Sequence, residues 1–214
     1  MHSKTRIFSC LLVVILVFIL ISLPLSAFAE SSNFSIRMWG EVSPIISGDA
    51  GNDMGAPNYD DAFKTGLGGG VEFAWRFCSW FSGVGGLGYE VYDGEKYQDI
   101  SFSDLKIVPV YVGGKFHLIP DSSPWDFYLR MDLGAAYFSS VDISFMSFKE
   151  KYWKSSWELL FDVGVGTEYR RGSWGLSLDI KARYLDSPDA DLGKPSKAES
   201  SWSIPIIMGI NYYF

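Results

Sequence analysis

Apolar and polar residues alternate along most of this chain, from residue 33 to its C-terminus. Leu129 and Met131, for example, flank Arg130, and the same period of two continues on both sides of them. Such alternation is typical of β-strands, and each segment has about the length a tilted strand needs to cross a bilayer. Eight segments show it: 33–43, 66–78, 81–93, 105–118, 127–138, 155–170, 174–185 and 202–214.

The connections between these segments alternate between short and long. Short ones follow the second, fourth and sixth strands, at 79–80, 119–126 and 171–173. Long ones follow the first, third, fifth and seventh strands, at roughly 44–65, 94–104, 139–154 and 186–201. Short periplasmic turns at one end and long external loops at the other are typical of transmembrane barrels. An even number of strands also places both termini at the short-turn end.

Alternation alone does not show which face is wet, so a soluble two-sheet sandwich is an alternative. Aromatic residues such as Trp75, Phe116 and Phe214 cluster at the ends of predicted strands, as in the interfacial girdles of membrane barrels. About five bulky apolar residues per strand would also overfill the interior of an eight-stranded barrel, which side chains only just fill. The sequence therefore predicts an all-β protein, an eight-stranded antiparallel up-and-down transmembrane β-barrel.

The N-terminus has the pattern of a cleavable signal peptide covering residues 1–29. Lys4 and Arg6 precede an apolar stretch, and Ala27-Phe28-Ala29 fits a small-x-small cleavage site. An uncleaved helical anchor is the alternative, which Pro24 disfavours. We expect a signal peptide at 1–29, a barrel domain at 30–214 and export to the outer membrane of a Gram-negative bacterium.

Charge and cysteine content exclude two classes of protein. Removing the signal peptide leaves 16 basic and 25 acidic residues, a net charge of −9, whereas nucleic-acid binding requires a basic surface. Only Cys78 then remains, so no internal disulfide can form. We expect Cys78 to be a small buried thiol without a redox role.

The last predicted strand alternates apolar residues and ends in Tyr212-Tyr213-Phe214. With the segments 108–116 and 133–137, it resembles the OmpA/OmpX-type family of small outer-membrane barrels. The resemblance spans nearly all of the chain after the signal peptide and implies the barrel domain alone, without a periplasmic peptidoglycan-binding domain. It also implies that Tyr212 and Phe214 belong to a signal read by the barrel-assembly machinery. Activity does not follow, because members of such families share a scaffold and vary their loops.

Strand parity places eight acidic and seven basic residues, together with His117, on the face that would line the barrel interior. Near-balance of charge predicts mutual pairing that plugs the lumen, because unpaired buried charges are costly. An ion pathway or gate is the alternative. Parity also places Glu41, Glu90, Glu168 and Arg170 on this face. The expected network consists of Arg37, Glu72, Arg76, Lys115, Arg130, Asp132, Glu158, Asp162, Asp179, Lys181 and Arg183.

His117 is the only histidine after the signal peptide, which restricts catalysis. Lipid A deacylases of this size use a strand His-x-Ser motif, whereas Ile119 stands two residues after His117. We therefore predict no catalytic residue and interpret His117 as a lumen residue near the periplasmic mouth.

Two loops carry candidate binding residues. The third loop interleaves aromatic residues with Lys149, Lys151 and Lys154, which could bind lipopolysaccharide phosphates; an ordinary solvated loop is the alternative. The first loop is rich in oxygen ligands for calcium at 47–55 but lacks EF-hand spacing, so an ordinary loop is favoured over a calcium site. We expect no metal site and no cofactor.

Three functions remain as hypotheses. The leading one is a monomeric, non-enzymatic barrel with a plugged lumen, whose loops serve envelope integrity or surface contact. A narrow porin-like channel is the second, and paired lumen charges oppose it. A lipid-modifying outer-membrane enzyme is the third, and the single histidine opposes it.

Overall fold

The computed structural model describes residues 33–51, 57–118, 123–146, 148–188 and 198–214. The predicted signal peptide lies outside these residues. The elements of the described ranges are β1 (Phe34–Ser43), β2 (Ile45–Ser47), α1 (Tyr59–Ala62), β3 (Gly66–Cys78), β4 (Phe81–Tyr92), β5 (Lys96–Tyr97), β6 (Ile100–Phe102), β7 (Leu105–His117), β8 (Trp125–Phe138), β9 (Val141–Phe145), β10 (Phe148–Trp153), β11 (Ser156–Arg171), β12 (Trp174–Leu185), β13 (Ser201–Ser203) and β14 (Ile206–Tyr213).

Eight long strands close into an antiparallel barrel in chain order. The ring runs β1, β3, β4, β7, β8, β11, β12 and β14, and β14 pairs back to β1. Tight turns join β3 to β4 and β11 to β12 at the end where both β1 begins and β14 ends. We call this the periplasmic end, since short turns mark that side in membrane barrels. The predicted barrel is confirmed, and the bounds of seven of its eight strands agree to within two residues, whereas β14 begins four residues after the predicted start at 202.

The two faces of the barrel are inverted relative to a soluble protein. Met208 is 69% exposed and Leu176 is 61% exposed on the outside, whereas Arg130 and Asp132 are buried inside. In water this arrangement would leave a continuous apolar surface around the molecule. In a bilayer, the apolar exterior faces the lipid tails. The backbone N–H and C=O groups are also hydrogen-bonded between strands, because a closed barrel has no unpaired edge. The exterior therefore excludes the soluble sandwich.

Two prolines interrupt the barrel ladders. Pro205 falls between β13 and β14, so the last predicted strand, 202–214, is wrong in being continuous. Pro109 pairs with Ala136 of β8, but the ladder to β4 lacks bridges between Leu87–Val110 and Glu90–Ile107. Proline has no N–H to donate, which explains both gaps.

The long loops build a second layer at the outer end. Strands β5, β6, β9 and β10 form a separate four-stranded sheet in the order β10-β9-β6-β5. The pattern of the sequence predicts only loops at 94–104 and 139–154, where these strands lie. Helix α1 contributes Tyr59 to the apolar cluster beneath them. Among the described residues, no helix is long and apolar enough to span a bilayer. We refer to the four-stranded sheet, α1 and this apolar cluster as the outer cap.

Candidate functional site

Arg130 lies at the centre of a connected set of charges in the barrel interior. Its guanidinium donates to Glu72 at 2.5 Å, to Asp132 at 2.7 Å and to Asp179 at 3.3 Å. Arg37 also pairs with Asp179, and Lys115 lies 2.9 Å from the Glu72 carboxylate. These side chains come from β1, β3, β7, β8 and β12, so the contacts cross the lumen.

The set continues toward the outer end through Lys181. Its ammonium group lies 2.8 Å from Asp132 and 3.3 Å from Asp162. Asp162 also accepts from Arg183 at 3.0 Å, and Arg183 then reaches Glu90 at 2.6 Å. We call the whole set the lumen network; it comprises Arg37, Glu41, Glu72, Glu90, Lys115, Arg130, Asp132, Asp162, Asp179, Lys181 and Arg183.

Tyrosines fill the space between the charges, and glycines make room for them. Tyr111 donates to Glu72 at 3.1 Å, and Tyr128 donates to Asp179. A Cβ atom at Gly86 would collide with the ring of Tyr111, and one at Gly166 would collide with the ring of Tyr128. The glycines on the polar face are therefore required by close approach inside a narrow barrel.

The lumen network is buried as well as connected. The side chains of its ion pairs are at most 6% exposed, and six carboxylates face five cations. Opposite charges attract more strongly here than at a surface, because little water screens them. Separating one pair would leave charges buried without partners, which is costly. The network can therefore hold the interior closed at mid-height.

Two residues of the expected network lie elsewhere. Arg76 is near the periplasmic mouth, where its guanidinium is 3.7 Å from Asp126. Glu158 is half-buried near the outer end of β11. Its charge acts on Tyr59 of the cap: burial raises the pKa of that phenol above its ordinary value, and Tyr152 and Glu158 raise it further. Arg76 and Glu158 therefore lie toward the two ends of the barrel, since parity fixes the face of a residue but not its height.

His117 has partners that the sequence analysis missed. Its Nε2 is 2.7 Å from the hydroxyl of Ser82, and its Nδ1 is 2.6 Å from a carboxylate oxygen of Asp126. Ser82 is a short polar residue on the inner face of β4, and Asp126 lies in β8, whereas the sequence predicts a short connection at 119–126. His117 itself lies in the lumen at the end of β7, as predicted.

Cys78 is exposed, so the prediction of a buried thiol was wrong. The ladder between β3 and β4 shifts register between Arg76 and Cys78, and this irregularity ends the alternation on which the prediction relied.

No group of three or more potential metal ligands occurs in the described part of the chain.

The three candidate lysines lie on and just after β10. Lys149 forms an ion pair with Asp142 at 3.1 Å while remaining largely exposed. Lys151 is exposed and stands opposite Asp142 in the hairpin of β9 and β10, and Lys154 follows the strand. At the tip of this hairpin, Met146 is 86% exposed and Phe148 is 78% exposed.

The residues of the expected assembly signal lie on the outer face at the periplasmic end. Tyr212 packs edge-on against Trp174 with ring centroids 5.0 Å apart. Phe214 contacts both Tyr212, at 5.2 Å, and Phe34 of β1, at 5.4 Å. These rings belong to an aromatic girdle of the kind found at membrane interfaces.

Solved structures share this architecture, although no protein-family model and no curated protein matches the sequence. Neisserial surface protein A aligns over 86% of this chain and 98% of its own, with 12% identity and a TM-score of 0.56. Ail, the attachment invasion locus protein of Yersinia pestis, aligns over 85% and 97%, with 17% identity and a TM-score of 0.54. OprG from Pseudomonas aeruginosa aligns over 85% and 95%, with 16% identity and a TM-score of 0.50.

At these identities, the likeness concerns the fold. The closed ring of eight antiparallel strands, its apolar exterior and its charged interior are those expected from the resemblance to OmpA/OmpX-type barrels. The chain therefore has the fold of the small eight-stranded outer-membrane barrels, which places it in the outer membrane of a Gram-negative bacterium.

Proposed function

We propose that the main role of this protein is non-enzymatic: a monomeric barrel with a closed lumen that presents its outer cap to lipopolysaccharide and stabilises the envelope. The observation that carries the proposal is closure of the interior at two heights. The lumen network occupies the middle, and the apolar cluster of the outer cap occupies the outer mouth.

Closure in the middle argues against the channel alternative. An ion path would have to separate several contacts of Arg130, Lys181 and Arg183 together, because each cation bridges at least two carboxylates. Each separation would leave buried charges unpaired.

Closure at the outer mouth has a different chemistry. Trp153 of β10 packs against Tyr59 and Phe63, with ring centroids 5.4 Å and 5.6 Å from its own. Tyr92 and Leu105, from the outer ends of β4 and β7, belong to the same buried cluster. Burial of several large aromatic side chains stabilises the folded arrangement of these loops, so the cap is a packed layer on top of the barrel.

The hairpin of β9 and β10 supports lipopolysaccharide as the ligand. Lys149 and Lys151 are exposed beside Met146 and Phe148, so cations and large apolar groups share one projecting element. Lipopolysaccharide offers phosphates that the two lysines can bind and, at the membrane interface, apolar groups that Met146 and Phe148 can contact. Ail, a barrel of the same fold, is described as an attachment invasion locus protein, which supports surface contact as a second role of such a cap.

We expect Lys149→Gln combined with Lys151→Gln to weaken binding of purified lipopolysaccharide by roughly 30-fold, since each of the two surface cations contributes about 1 kcal/mol toward an anionic lipid surface. The measurement is a binding titration of the folded barrel at two salt concentrations. The matched control is Lys96→Gln on β5, another exposed lysine of the cap sheet. Unchanged affinity in the double variant, or an equal loss in the control, would contradict the assignment.

A further inference from the structure

Three neighbouring strands align a serine, a histidine and an aspartate at the periplasmic mouth. Ser82 on β4, His117 on β7 and Asp126 on β8 form one hydrogen-bonded line, with distances of 2.7 Å and 2.6 Å. Each step is diagonal across the ladder, since Ser82 stands opposite Lys115 and His117 stands opposite Tyr128. Diagonal neighbours on one face of a sheet are within reach of long side chains, so the barrel framework fixes this line.

The line has the order that activates a hydroxyl. The imidazole contacts the serine through one nitrogen and the carboxylate through the other. A carboxylate on Nδ1 holds the tautomer in which Nε2 accepts the hydroxyl proton, and it stabilises the imidazolium that forms.

Two cations stand opposite Ser82 in the ladders, Arg76 of β3 and Lys115 of β7. The Lys115 ammonium is held by Glu72 at 2.9 Å. The Arg76 guanidinium lies at the mouth, 3.7 Å from the Asp126 carboxylate, and donates to the Ser79 carbonyl at 2.6 Å. Arg76 therefore brings positive charge to the aspartate end of the line, which favours an oxygen that gains negative charge at this mouth.

We propose that Ser82 is a nucleophile toward small acyl esters that enter from the periplasm, with His117 as its general base and Asp126 as the residue that positions His117. This capability lies outside the main role proposed above and does not depend on it. Substrates are small because Ser82 is only 4% exposed, and they come from the periplasm because the lumen network closes the opposite side. Arg76 and Asp126, at the same mouth, are partly exposed and mark the access route.

The reaction balances in two steps. The Ser82 oxygen attacks the ester carbonyl carbon while its proton passes to His117 Nε2; the C–O bond to the alcohol then breaks, and the alcohol leaves with that proton. Water next attacks the acyl carbon and gives a proton to His117; the bond from that carbon to the Ser82 oxygen breaks, the carboxylic acid is released, and His117 returns the proton to the Ser82 oxygen. Arg76, whose guanidinium lies at the same mouth beside Asp126, is the cation that would stabilise the oxyanion.

The test is covalent labelling of the full-length, folded protein with a small alkyl fluorophosphonate, followed by intact mass and peptide mapping. We expect one adduct on Ser82, no adduct in Ser82→Ala, and labelling roughly 100-fold slower in His117→Gln, the size of a general-base contribution. Asp126→Asn should lose roughly tenfold or more, because the histidine then takes the wrong tautomer. The matched control is Ser177→Ala, a buried lumen serine that donates to the Gly209 carbonyl instead of a histidine.

Heat-modifiable gel mobility shows that each variant is folded before it is scored. Hydrolysis of p-nitrophenyl acetate gives a second readout, which should fall in Ser82→Ala and His117→Gln and stay at the wild-type level in Ser177→Ala. If the hydrogen-bonded line is purely structural, Ser82→Ala and His117→Gln will leave both the labelling and the hydrolysis at the wild-type level. Absence of a Ser82 adduct in the wild-type protein, or equal labelling rates in wild type and His117→Gln, would overturn the proposal.

Discussion

Charge reversal at Arg130 is expected to lower the free energy of unfolding by about 3–5 kcal/mol or more, the cost of breaking a buried ion pair. Arg130 bridges Glu72, Asp132 and Asp179 and is almost fully buried. The Arg130→Glu variant would place a fourth carboxylate among these three and remove the cation that joins them. The measurement is the urea midpoint of the barrel folded in lipid vesicles, followed by tryptophan fluorescence.

The control for this variant is Arg171→Glu, which makes the same change in net charge at an exposed position beside the last periplasmic turn. Exposed charges contribute little to stability, so the free energy of unfolding of this variant should stay within about 0.5 kcal/mol of the wild-type value. If both variants unfold at the same urea concentration, the lumen network does not stabilise the barrel.

The Leu178→Arg variant should lower stability by roughly 2–4 kcal/mol, the cost of a cation on the lipid face near the bilayer midplane. Leu178 lies on the outside of β12, opposite Met208 of β14 and Thr167 of β11. Its neighbour Ser177 is buried and faces the lumen. The measurement is the same unfolding experiment in vesicles.

Leu178→Ala separates the effect of charge from the loss of apolar contacts, because it shortens the side chain without adding a cation. We expect it to cost clearly less than the arginine. Wild-type stability of Leu178→Arg would mean that this height of the barrel is not in contact with lipid.

The barrel strands could be predicted because period-two alternation leaves each residue only two faces. The face on which Arg130 or Leu178 lies follows from parity. The apolar face must be the outer one, because the barrel interior is too small for so many bulky apolar side chains. Height along the barrel depends on the stagger between strands, which parity does not contain. For that reason, the pattern predicts the face of Arg76 and Glu158 but not their heights near the two ends of the barrel.

The outer cap and the serine–histidine–aspartate line had weaker signals. Strand β6 pairs with β9 across some forty residues of chain, a contact that no local pattern records. Ser82 is a short polar residue among glycines, and Asp126 precedes the first clear alternation of β8. A search for polar residues diagonal to His117 on both neighbouring strands would have found these two partners.

Single-channel recording of the wild-type protein in planar bilayers tests the closed lumen most directly. With Arg130, Lys181 and Arg183 each bridging carboxylates across the interior, and aromatic residues packed at the outer mouth, we predict no steady conductance and only rare, brief openings. Arg130→Glu should open more often. Steady, ohmic, long-lived channels from the wild-type protein would contradict the account and make a narrow channel the leading function.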